Sequence, residues 1–231
     1  MNYSDLVNQQ SGYEDFIASC EHAKAVSLLA TVDGLLQWDE QTMLPAAAGD
    51  FRADQAATLA ALTHAQRTKK EQGERLEKLA DSSLATNGPE VVQATIRLLH
   101  EDFQKQSRVP GRLVEEIART SIEAQQEWVC AVEASEWKNM VIHLEKMFSL
   151  KRELAMCQSP ELDPYDALMD DYEPGARWRS VDATFSRLRK ALAPLVRGCF
   201  ESRNGPQDAV LRGTFPLLSQ QTFVRQIIEK I

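Results

Sequence analysis

The chain has 231 residues, 43% of them hydrophobic and 26% charged, with a formal net charge of −8. That composition belongs to a globular chain able to bury a core, not to a disordered one, and the length fits one large domain or two small ones. The acid excess argues against nonspecific nucleic-acid binding, which needs a basic surface to neutralise phosphates, and no apolar run approaches the ~20 residues that cross a bilayer.

At the start, Met1-Asn2-Tyr3-Ser4-Asp5 shows no basic segment followed by an apolar core, so no signal peptide is read there. Four cysteines, Cys20, Cys130, Cys157 and Cys199, form no C-x-x-C pair. Free thiols in a reducing cytoplasm are the expectation. Glycine is sparse and β-branched runs are few, which favours helices over sheets.

Helical periodicity then runs from end to end. The first helix carries Leu29, Val32 and Leu36 on one face, and Asp39 and Met43 continue the row beside Trp38 and Thr42. A lone carboxylate on an apolar stripe is costly, so Asp39 is expected to be largely buried and to accept a hydrogen bond from a protein donor. Two roles stay open for it: a cleft wall or orienting group, or a helix-end acid that holds a neighbouring helix. A second stripe, opened by Pro110-Gly111, runs through Leu113, Ile117, Ala124, Trp128 and Ala131, and a third uses Val141, Leu144, Phe148 and Leu154.

Residues 155–179 are the least regular stretch. Within them Asp163 can cap a short helix with Pro164 at its first position. On that helix Asp166, Asp170 and Glu173 would share one face, and Tyr165, Leu168, Met169 and Tyr172 the other. After a cap at Ser180, Val181, Phe185, Leu188, Leu192, Leu195 and Cys199 make a further stripe, with a kink or restart expected at Pro194. The last helix carries Phe223, Ile227, Ile228 and Ile231. Breaks fall at Asn87-Gly88-Pro89, Val109-Pro110-Gly111, Ser159-Pro160, Glu173-Pro174-Gly175 and Asn204-Gly205-Pro206.

About eight mostly long helices and no sheet make an all-α array. Residues 1–231 are read as a single helical domain. A possible subdivision separates a helical array over 1–155 from the acidic helix and C-terminal helices of 156–231.

Zinc chemistry needs His or Cys ligands, often two His at i and i+4 with a Glu between them. Of His22, His64, His100 and His143, only His100-Glu101 begins such a motif, and its i+4 place is Gln104, a poor ligand. No local zinc site is therefore encoded. Asp166, Asp170 and Glu173 could hold a hard cation such as magnesium or calcium, or form a solvated face paired with Arg177 or Arg179. Neither Ser-His-Asp nor Cys-His catalysis can be inferred from the spacing.

Several ordered motifs resemble the carboxypeptidase Taq family of zinc metallocarboxypeptidases. The run Trp38-Asp39-Glu40-Gln41-Thr42-Met43-Leu44-Pro45 matches that family's W-D-Q-x-T-x-M-P, with Glu40 replacing Gln and Leu44 replacing Met. Arg52-Ala53-Asp54-Gln55, Thr58-Leu59-Ala60 with His64, Leu144-Glu145-Lys146 and Leu150-Lys151-Arg152-Glu153 follow in order. The most specific match is Tyr165-Asp166-Ala167-Leu168 through Tyr172-Glu173-Pro174-Gly175, and Leu192 through Arg197 fits as well.

The resemblance implies the N-terminal half of an all-helical fold with a deep groove, whose N-terminal helices form part of its wall and cover. In an intact relative, zinc on an H-E-x-x-H helix would polarise the scissile carbonyl, and the motif Glu would activate water to release C-terminal residues from peptides. That region would lie beyond Ile231, so the resemblance carries over no catalytic residue, no metal ligand and no cofactor to this chain, and implies that it is inactive alone. Trp38, Asp39, Thr42, Tyr165, Asp166, Tyr172 and Glu173 are the candidate cleft-wall or structural residues. A peptide substrate is expected only in intact relatives. Apolar faces left uncovered by the missing half imply self-association as a homodimer, and the alternative function is a stand-alone dimerisation or regulatory module.

Overall fold

The computed structural model describes residues 12–202 and 212–230. The expectations for Met1–Asp5, for the Asn204-Gly205-Pro206 break and for Ile231 lie outside the described residues. Ten α-helices and no strand occur among them: α1 (Tyr13–Thr42), α2 (Gly49–Arg67), α3 (Lys70–Ala80), α4 (Ser83–Asn87), α5 (Glu90–Ser107), α6 (Gly111–Ala134), α7 (Lys138–Gln158), α8 (Pro164–Met169), α9 (Trp178–Glu201) and α10 (Leu217–Ile228). The count exceeds the expected eight because elements as short as the five-residue α4 span too few turns to show a period.

The chain divides into two compact units, residues 1–176 and 177–231. The sequence suggested a possible seam after residue 155. Helix α8 packs on α7, however, so the acidic helix belongs to the first unit.

Three small clusters make the core of the first unit. Leu76, Leu79, Leu84, Val92 and Ile96 join α3, α4 and α5, with Tyr13 and Phe16 of α1 packed against them. Ala53 and Ala56 of α2 meet Ile122 of α6. Val109, Leu113 and Leu150 join the α5–α6 turn, α6 and α7. Alanine at the second junction lets two backbones come close, and Gly49 extends this: a Cβ there would lie 2.1 Å from Gln126 Oε1.

Helix α1 has 30 residues, about 45 Å of rod, and it packs against α2 and α3. Its expected buried row is only partly covered, with Val32 45% and Met43 70% exposed. A second apolar row, Leu28, Val32, Leu35 and Trp38, faces outward.

Other local expectations also shift. Helix α8 stops at Met169, so Asp170 and Glu173 do not continue its face. Pro174 disfavours helical geometry at Glu173, and the left-handed Gly175 (φ 79°) turns the chain away. Helix α9 starts at Trp178 rather than after Ser180, and it runs through Pro194 without restarting. The α6–α7 turn carries no Gly or Pro; Ser135 takes the left-handed conformation there at φ 52°. In the second unit none of the described residues is buried.

Candidate functional site

The C-terminal end of α1 is held by one arginine. Arg52, 7% exposed, enters from the first turn of α2. Its Nη2 donates to Asp39 Oδ2 at 2.5 Å, its Nη1 donates to the Leu36 carbonyl, and its Nε donates to Gln55 Oε1 at 3.0 Å. Leu36 lies more than a turn before the end of α1, so its carbonyl already serves the helix ladder and Arg52 is a second donor to it. The guanidinium thus ties a carboxylate and a carbonyl together, and fixes the angle at which α2 leaves α1.

Asp39 accepts the expected protein hydrogen bond, and its side chain is mostly covered, with 37% left exposed. The reason is geometric: the clamp sits at the edge where α2 begins, with one side open. Thr42 donates its hydroxyl to the Trp38 carbonyl at 2.6 Å, and Trp38 itself is exposed.

Between α1, α2 and α6 lies an open cavity of about 410 Å³. Asp33 and Glu40 come to it from α1, Thr63 and Arg67 from α2, and Ser121 and Gln125 from α6. Glu40 Oε1 is buried with no hydrogen-bond partner among the described residues. Burial raises the Glu40 pKa; nearby Arg52 pulls it down and Asp33 pushes it up, with a net rise. Arg67 is engaged, its Nε donating to Asp102 Oδ2 of α5 at 2.8 Å.

The acidic segment separates into different roles. Asp163 caps α8 by accepting from Tyr165 N at 2.9 Å, and Asp166 is buried. Asp170 pairs with Lys105 of α5 and accepts from Gly175 N at 2.8 Å. Glu173 lies exposed in the turn. The three carboxylates therefore do not form one helical face for a cation. Tyr165 and Tyr172 instead reach an apolar trench between α7 and α8.

The fit to zinc can be tested on the histidines. His22 donates Nε2–H to the Gln66 carbonyl and His64 donates Nε2–H to the Val109 carbonyl, each at 2.9 Å. His100 has Gln104 at 3.2 Å as its i+4 neighbour. Among the described residues no group of three or more His, Cys, Asp or Glu side chains is arranged to hold a metal. These residues do not fit a zinc centre.

The sequence reading missed Arg52 and Lys105 as the cations that pair with Asp39 and Asp170. The signal for Arg52 was available: it opens the row Arg52, Ala53, Ala56, Ala57 that α2 buries. Lys105 meets Asp170 only through helix packing.

The sequence matches the profile of the carboxypeptidase Taq (M32) metallopeptidase family over residues 18–231. Thermostable carboxypeptidase 1 of Thermus thermophilus is 28% identical over 228 residues, covering 95% of this chain and 44% of the relative. The solved M32 carboxypeptidase of Deinococcus radiodurans superposes with a TM-score of 0.75 at 29% identity, over 94% of this chain and 43% of that one. A solved structure named BsuCP gives a TM-score of 0.82 at 21% identity, with 94% and 43% coverage, a likeness of fold. The chain spans less than half the length of the curated relatives it matches.

Proposed function

This chain belongs to the carboxypeptidase Taq (M32) metallopeptidase family, and from that membership we propose that it is the N-terminal helical portion of a metal-dependent carboxypeptidase, without peptidase activity by itself. The observation that carries this reading is the coverage: the fold matches along nearly its whole length, yet accounts for only 43% of the solved relative from Deinococcus radiodurans. The donor set agrees with it, because the histidines stand apart and two of them are committed to carbonyls. No step of hydrolysis runs through the residues present here. Their contribution is scaffolding: the Arg52 clamp sets the α1–α2 angle, and the Lys105–Asp170 pair holds the turn after α8. Those two ties support Trp38, Asp39, Tyr165 and Tyr172 as wall residues.

The purified chain is expected to hold no stoichiometric zinc and to release no C-terminal residues from peptides in a chelator-sensitive way. Elemental analysis and a peptide-release assay, with and without chelator, test this. About one tightly held zinc per chain together with such release would overturn the reading.

A second reading is favoured by the outward row Leu28, Val32, Leu35 and Trp38 on α1. Four large apolar side chains on one helical face suit a packed contact better than water. On this reading the chain is a homodimerisation or regulatory module derived from the enzyme.

A further inference from the structure

The trench between α7 and α8 has a volume of about 500 Å³. Leu144, Met147, Leu168 and Met169 make it apolar, and Phe148, Tyr165 and Tyr172 are its exposed aromatic residues. Methionines give such a surface an adaptable lining. One charged group is among the lining residues, Lys151, and no carboxylate is. In a chain of net charge −8 that is an unusual local balance.

Lys151 is half-buried, and among the described residues it makes no ion pair. Its neighbour Lys146 behaves differently, lying 3.8 Å from Glu116 and 3.9 Å from Glu123 of α6. The two lysines sit on different faces of α7: one is neutralised by α6, the other is left in the trench. A cation beside apolar walls with no protein counter-charge attracts an anion more strongly than a fully solvated lysine does. Small-molecule sites have this make-up, a mainly apolar concavity with a few polar groups that fix orientation.

We propose that the α7–α8 trench binds a small apolar monocarboxylate, with an aromatic or branched aliphatic body against Leu144, Met147, Phe148 and Leu168 and its carboxylate on the Lys151 ammonium. A neutral analogue keeps the apolar contact and loses the charge-assisted one. An amine would meet like charge and bind worst.

The test uses the full chain with 3-phenylpropionate, 3-phenylpropionamide and 3-phenylpropylamine as probes. Methyl NMR reads the binding, since the chain has six methionines and two of them, Met147 and Met169, line the trench. The acid is expected to shift those two methyls and to bind at least about fivefold tighter than the amide, as a charge-assisted contact implies. Lys151→Met should remove that preference while helicity by circular dichroism is unchanged, and Phe148→Ala should weaken acid and amide alike. Independently of any variant, the acid's advantage should shrink between low and high salt. Equal binding of acid and amide, or a preference that survives Lys151→Met, overturns the proposal. So does a Met147 and Met169 response to protein concentration instead of acid, which would mean a second copy of the chain fills the trench.

Discussion

Two neighbouring carboxylates on α1 meet opposite fates. Asp39 has Arg52 at 2.5 Å, whereas Glu40, in the cavity lining, has a buried Oε1 without a partner among the described residues. Burial raises the Glu40 pKa, so the folded state holds that proton more tightly than the unfolded chain does. Its contribution to stability is therefore full below the ordinary glutamate range and is lost as pH rises through the raised value. Glutamine removes the charge and keeps the shape, and it is the residue that the resembling motif carries there. Glu40→Gln is expected to stabilise the fold at pH 7, where it removes a partly desolvated charge, by less than about 1 kcal/mol because solvent screens the group, with no gain at pH 4. Urea unfolding at both pH values measures this. Equal stability at pH 7 would mean that cavity water already solvates Glu40.

Between elements, closeness of backbones decides which substitutions are tolerated. Gly73 of α3 is buried against Phe103 of α5, and a Cβ there would stand 2.5 Å from the ring. Phe103 is half-buried and packs against the Leu76–Ile96 cluster, so its ring must give up part of that contact to admit a methyl group. Gly73→Ala would gain in helix propensity but should lose more by overpacking, a net destabilisation of about 1 kcal/mol by thermal or urea unfolding. Pairing it with Phe103→Leu should recover part of the loss. If Gly73→Ala alone is neutral or stabilising, the Phe103 ring yields into the cavity it lines beside Leu76 and Leu99.

For the whole molecule, the question is what covers its apolar surface. The outward row of α1 is exposed within the first unit, and in the second unit none of the described residues of α9 and α10 is buried, although both helices carry apolar stripes. If the chain self-associates, a specific interface should bury more than ~1,000 Å² in total. Light scattering at micromolar concentration should then give a dimer mass, and Leu35→Glu with Trp38→Glu should return it to a monomer. A clean monomer in the parent chain would sink the homodimer reading.

Read alone, the sequence determined the fold class, the main stripes and the family, because helical period and ordered motifs are local and survive without knowledge of neighbours. Leu113, Ile117 and Ala131 on α6 and the Asp163-Pro164 start of α8 belong to that legible part. Only the tertiary structure decided that Asp170 serves Lys105 and not a metal ion, that Val32 and Met43 stay open, and that Arg52 links Asp39 to a helix carbonyl. The physical reason is that burial and pairing depend on which helix covers which face. A period says that an apolar stripe exists, and the neighbouring helices, or their absence, say whether it becomes core.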